Sequence, residues 1–275
     1  MRNLSISKLA HRTWSDDCPT LVEAPIFTGV RVALIALAML SVSRSDAPFA
    51  GHPGALWRVV HDLCVPDKAI LGFSAPCLAV DRVGGFAVVP DPNARTQILL
   101  VPTRRITGIE SPELLTANVP NYWRAAWNAR RFLERRAGRA MSREDIAMAI
   151  NSHNGRTQNQ LHIHIDCVRV EVRAALKKYA SRLPDGWSRF PNGLFGHHYR
   201  ALRLSGEDLG RRDPFKLLAA ADESIRSDMG RESLAVIGVN LDDGPGFVIL
   251  AARDSPDNPE AAAEELIDHG CVVLR

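Results

Sequence analysis

The residues best suited to chemistry lie in one short stretch. Gln160, His162, His164 and Asp166 occupy every second place, with Leu161, Ile163 and Ile165 between them. A period of two on aliphatic and β-branched residues predicts a strand. On a strand, residues i, i+2 and i+4 share a face. Gln160, His162 and His164 therefore point one way and the aliphatics point into a core. Two imidazoles and an amide on one face support few chemistries. A neutral imidazole can attack phosphorus and become a covalent nucleotidyl-histidine. His-x-His is also a common partial ligand set for a metal. The plain alternative is a pair of surface histidines on an edge strand. Residues 151–159, just upstream, are polar with a central Gly155. They read as a turn that brings backbone N–H groups and short side chains to one end of the strand, which favours a site.

Several elements must position that stretch. The chain has 275 residues, 46% of them apolar, enough for one large domain or two small ones with a packed core. A net charge of only +3 argues against a nucleic-acid surface or an acidic tail. Residues 55–64 have helical spacing. Two apolar runs, 84–90 and 96–102, flank Asp91-Pro92-Asn93-Ala94 and predict a hairpin. Pro120 opens a helix to about 136, with Trp123 and Trp127 turned toward the core. A strand follows at 146–151, then the histidine strand at 160–168 and a helix at 170–183. The C-terminal part reads as a strand at 197–204, a helix at 214–227, a hairpin of 234–239 with 246–251, and a helix at 259–268. Arg124, Arg130, Arg131, Arg135, Arg136 and Arg139 cluster on or after the first long helix. They suit either a solvated face or attraction to anionic lipid headgroups. Residues 30–43 hold an apolar run with Arg31 at its start, short of the ~20 residues of a comfortable span. It suits a signal-peptide core or a short anchor.

The polar turn and the histidine strand together resemble the histidine-triad (HIT) signature. Gly155-Arg156-Thr157 aligns with its turn, Gln160 with the first triad histidine, His162 with the middle, nucleophilic one, and His164 with the third. Asn151 falls where that family often has a phosphate-site asparagine. The first histidine is thus replaced by an amide. With that departure, Arg-Thr-Gln-Asn-Gln-Leu-His-Ile-His-Ile-x-Cys resembles one branch, the bacterial CDP-diacylglycerol pyrophosphatases. So do Leu56-Trp57 before Cys64, Ala75-Pro76-Cys77, the run from Arg105 to Glu110, Gly196-His197 before Tyr199, and a C-terminal segment ending Asp268-His269-Gly270-Cys271. The likeness covers most of residues 55–271.

The resemblance implies an α+β fold: a HIT-like antiparallel sheet with flanking helices, with room for a degenerate second repeat in the C-terminal part. The expected organisation is a cytoplasmic leader (1–29), a signal peptide or anchor (30–43), a linker (44–54), a HIT-like catalytic domain (55–184) and a β-α-β-β extension (185–275). The implied reaction is hydrolysis of CDP-diacylglycerol to CMP and phosphatidate. His162 would be the nucleophile, and His164 would stabilise the transition state. Asn151, Arg156, Thr157, Gln158 and Gln160 would bind phosphate or substrate. No metal and no cofactor are implied, and the partners are the lipid substrate and a membrane surface. Oligomeric state is left open. Location in a bacterial inner membrane is implied, single-pass, with the catalytic domain on the periplasmic side. Two rivals remain at this point: a HIT-type hydrolase or nucleotidyltransferase acting on a soluble nucleotide, and an exported non-catalytic module binding metal through His162 and His164. Five cysteines are present, and Cys64, Cys77, Cys167 and Cys271 fall in the body of the protein. An exported domain would use these four in two disulfides. Three pairings are open, and Cys64–Cys77 with Cys167–Cys271 is favoured; a cytosolic location would leave thiols.

Overall fold

A computed structural model describes residues 52–275. The expected leader, the apolar run at 30–43, most of the linker and Cys18 lie outside the described residues. Within them the chain is a mixed α/β protein built on one ten-stranded sheet. In chain order the strands are β1 (Ala79–Asp81), β2 (Phe86–Pro90), β3 (Ile98–Pro102), β4 (Ile146–Ile150), β5 (Ile163–Val168), β6 (Ser188–Arg189), β7 (Arg200–Ser205), β8 (Glu232–Leu241), β9 (Gly244–Arg253) and β10 (Ile267–Asp268). They lie in the order β1-β2-β3-β5-β4-β8-β9-β7-β6, with β10 paired to β5 off this path. Every pairing is antiparallel.

The two faces of the sheet are covered differently. One face carries α3 (Tyr122–Ala137) and the short α5 (Pro214–Ala219) over a continuous core. That core includes Ile163 and Ile165 of β5, as alternation requires. Asn121 caps α3 by accepting from Arg124 N–H at 3.0 Å, and Gly138 closes it at φ +72°. Trp123 packs on Phe215 and Trp127 on Phe247, with ring centroids 5.3 Å and 4.9 Å apart. The opposite face holds two separate clusters. Leu56, Val60, Val89, Leu99 and Val101 form one, under α1 (Ala55–Arg58), the π-helical turn Val59–Cys64 and α2 (Val65–Ile70). Val172, Leu176, Ala149, Ala235, Leu250 and Leu266 belong to the other, under α4 (Val170–Tyr179) and the C-terminal segment. β5 runs between them, with His164 facing Leu99 of β3 and Ala149 of β4 in register.

Some elements depart from the sequence expectation. The first helix runs past Cys64 to Ile70, because the wide π-turn admits Pro66 where no N–H is needed. The helix expected over 214–227 is two, α5 and α6 (Glu223–Arg226), since the Asp222 carboxylate accepts Ser224 N–H at 2.8 Å and starts a new one. The helix expected at 259–268 is instead a 3₁₀ turn, Ala263–Leu266, followed by β10. Pairing with β5 and the Cys167–Cys271 bond, which spans 104 residues, override local helix propensity there. Cys64 is bonded to Cys77, so both disulfides join the favoured partners.

Candidate active site

His162 lies at the entry to β5, buried to 7% exposure in the strip between the two apolar clusters. Its Nδ1 is 2.7 Å from the Gln160 carbonyl oxygen. A carbonyl only accepts, so Nδ1–H donates and the lone pair is on Nε2. Burial, with His164 alongside, pushes the pKa of His162 down to about 4; the Arg156 guanidinium acts in the same direction. The ring is therefore neutral at pH 7. The His164 ring centroid lies 4.8 Å away at an interplanar angle of 65°.

His164 is clamped from the far end of the chain. Its Nδ1 lies 3.0 Å from Glu264 Oε1 and 2.9 Å from Gln97 Nε2. Glu264 is itself fixed twice by Asn151, whose amide nitrogen donates to Oε2 at 3.1 Å and whose Oδ1 accepts Glu264 N–H at 3.0 Å. Burial alone would raise the Glu264 pKa, but the His164 ring, the Asn151 amide and nearby His269 overcome this and hold it well below the usual carboxylate range. Behind it, His269 Nδ1 lies 3.0 Å from Asp166 Oδ2, and its Nε2 lies 3.6 Å from Glu264 Oε1. Asp166 is fully buried and accepts from the Thr96 hydroxyl at 2.7 Å. The hydrogen bond to Asp166 raises the His269 pKa above 6.5. Glu265 turns the other way, accepting from the Tyr199 hydroxyl and lying 2.8 Å from His197 Nδ1. Adjacent glutamates are thus divided between the site and its anchor.

The polar turn is tied on all sides. Arg156 is forked onto Glu110 at 2.6 Å and 2.7 Å, and its Nη2 lies 3.0 Å from His153 Nδ1. A Cβ at Gly108 would overlap the guanidinium and displace the Arg156–Glu110 pair. Gln158 holds the first helix in place: its Oε1 accepts Leu56 N–H at 3.0 Å and its Nε2 donates to the His52 carbonyl at 3.2 Å. Thr157 is exposed on the turn. Gln160 is fully buried and gives its NH₂ to the Pro102 and Arg104 carbonyls at 3.1 Å and 2.9 Å. That leaves Gln160 Oε1 buried with no partner among the described residues, as is His164 Nε2. Such atoms are uncommon in native proteins, and Gln97 Oε1, on the residue beside His164, is a third. Beside His162 is a narrow cleft lined by Thr107, Gly108, Asn151, Arg156 and Gln160. Three larger grooves lie elsewhere on the surface of the described residues, away from His162 and His164.

Sequence reading named His162, His164 and Asn151, which the structure brings together. It missed Glu264, Gln97 and His269. Asp166 carried a signal, standing four residues after His162 on the same strand face. Glu264 carried none, since it sits in an Ala/Glu run that reads as an ordinary helix. Among the described residues, Asp166, Cys167 and Cys271 could group around a metal, but the two sulfurs are bonded to each other.

A β-ribbon presenting an uncharged imidazole, its tautomer fixed by a carbonyl and its neighbour clamped by a carboxylate, can act as a nucleophile toward phosphorus. Comparison with known proteins makes the class specific. Residues 51–275 match the family model described as CDP-diacylglycerol pyrophosphatase. A curated relative from Yersinia pestis, a CDP-diacylglycerol pyrophosphatase, is 42% identical over 221 residues, covering 80% of this chain and 84% of the relative. The chain belongs to the CDP-diacylglycerol pyrophosphatase family.

Proposed function

We propose that the chain hydrolyses CDP-diacylglycerol to CMP and phosphatidate through a cytidylyl-histidine at His162. Nε2 of His162 attacks the phosphorus bearing cytidine. A P–N bond forms, the bond to the bridging oxygen breaks, and phosphatidate leaves with that oxygen and its electron pair. Water then attacks the same phosphorus, CMP departs, and the imidazole returns to neutral. A phosphate monoester is a good enough leaving group to need no strong general acid, which fits an amide at position 160. His164, steadied by Glu264, hydrogen-bonds a nonbridging oxygen as charge builds on it. Thr157 serves the same oxygens from the turn. Arg156 contributes field rather than a direct contact, since Glu110 holds its fork. Asn151 works through Glu264, and Gln158 through the first helix.

The observation that carries this reading is the His162 ring, neutral to about pH 4 with Nδ1–H committed to Gln160. The HIT-like reading of β2, β3, α3, β4 and β5 supports it. The order β7, α5, β8, β9 favours a degenerate second repeat, because α3 and α5 pack on the same face. Two disulfides favour an oxidising, extracytoplasmic location, and a lipid substrate calls for work at a membrane surface. The test is a base quench of protein incubated with CDP-diacylglycerol labelled in the cytidine-linked phosphate. Label on a histidine in the parent and none in His162→Ala supports the mechanism. Rapid CMP release in the parent with no labelled histidine under single-turnover conditions excludes it.

A further inference from the structure

Among the described residues nine large apolar side chains are exposed, and six of them fall between residues 63 and 83: Leu63, Ile70, Leu71, Phe73, Leu78 and Val83. The remaining three are scattered through the later chain. Ile70 is 79% exposed and Val83 99%. A concentration of this kind marks an interaction surface rather than chance exposure. The segment is also rigidly displayed. Cys64–Cys77 closes it, Lys68 Nζ donates to the Gly72 carbonyl at 2.9 Å, and Asp81 Oδ1 accepts the N–H groups of Val83 and Gly84 at 3.0 Å and 2.7 Å. The buried cluster of Leu56, Val60, Val80 and Val89 supports it from below.

Charge then selects the partner. A groove between the β1–β2 hairpin and α3 adjoins this surface and contains Lys68, Arg82, Arg124 and Arg131, with Asp81 its single acid. None of the four cations makes an ion pair within the described residues. Other arginines of the α3 cluster are used internally: Arg130 donates to the Trp127 carbonyl, Arg136 to those of Thr96 and Ala94, and Arg139 to that of Leu274. Apolar side chains next to unpaired cations match an anionic bilayer, whose interior takes the former and whose headgroups take the latter.

We infer that the disulfide-closed segment 63–83, with Lys68, Arg82, Arg124 and Arg131, is the surface by which this protein docks on an anionic phospholipid bilayer. The inference deepens the proposed lipid hydrolysis and rests on it for the lipid nature of the substrate. The first helix couples the surface to the site. It is held near its start, at Leu56, by Gln158 of the polar turn and ends at Ile70. At 1.5 Å per residue that separation is roughly 20 Å along the axis.

The test uses the full chain and two readouts. Amide hydrogen exchange is followed with and without phosphatidylglycerol vesicles. Peptides over 66–83 should slow severalfold with lipid while those around Val170 and Phe195 stay unchanged. No slowing at 66–83, or protection there before lipid is added, overturns the inference; the latter means that the chain itself or a second copy covers the surface. Turnover of CDP-diacylglycerol is then compared in Ile70→Asp/Phe73→Asp/Val83→Asp. A tenfold or greater loss is expected in phosphatidylglycerol vesicles, and a change within twofold on a short-chain monomeric substrate. Equal losses on both, or no loss on either, overturn it. If neither substrate is turned over by the parent, the hydrolysis reading fails and exchange protection alone decides the docking surface.

Discussion

The two faces of the sheet are built for different purposes. The α3 face is one uninterrupted apolar layer in which Trp123, Trp127, Phe215 and Phe247 pack across both halves of the strand order. The other face is divided, and the gap between its clusters is where His162, His164 and Asp166 emerge. The same strand β5 serves both, sending Ile163 and Ile165 one way and His164 and Asp166 the other. A buried polar strip is costly unless its members are bonded to one another. Here Gln97, Asn151, Glu264 and His269 make those bonds. Stability and chemistry are thus separated by a period of two.

Substitutions can break or sharpen that separation. The largest effect is expected from His162→Ala, which should lower CMP release by on the order of 10⁴-fold or more while the melting curve stays near that of the parent. A residual rate within tenfold of the parent would remove the nucleophile assignment. In the parent, the acid limb of kcat/KM should fall near pH 4, with activity rising as His162 loses its proton, rather than near 6.5. Trp123→Ala, on the opposite face, should cost about 3–5 kcal/mol of stability by leaving a cavity, with little change in rate for the folded fraction. Denaturant unfolding and an activity assay on the same sample distinguish the two. Glu264→Gln keeps the shape and removes the charge behind His164. We expect kcat to fall roughly 10- to 100-fold with KM little changed, because the support acts in the transition state. A matching change in KM alone would make Glu264 a binding residue. The smallest effect concerns His269, whose pKa is raised in the fold. Its pairing with Asp166 adds stability below pH 6.5 that is lost as pH rises through the folded value. His269→Asn should flatten that slope, by less than about 1 kcal/mol for so exposed a ring. Melting temperatures from pH 5.5 to 9 measure it.

Much of this was readable in the residues. The alternation from Gln160 to Asp166 assigned the histidines and the aliphatics to opposite faces. Asp91-Pro92-Asn93-Ala94 marked the turn between β2 and β3, and Pro120 marked the start of α3 to within two residues, the helix beginning at Tyr122 after the Asn121 cap. Other parts could not be read because their causes are distant in sequence. Glu264 meets Asn151 across 113 residues, and no local pattern announces a carboxylate that only tertiary pairing delivers. Gln160 looked like a ligand-facing amide, yet its NH₂ goes to two backbone carbonyls that alternation cannot foresee. Asp222 looked like an ordinary helical residue until its side chain capped a second helix.

The long interval between Asn151 and Glu264 has a consequence in time. A ribosome adding about 5–20 residues per second takes roughly ten seconds to pass from one to the other. Through that interval the chain already contains His162 and His164 but not the carboxylate that pairs with His164. The polar strip around the histidines is therefore completed only when the C-terminal segment returns to the sheet and Glu264 meets Asn151 and His164.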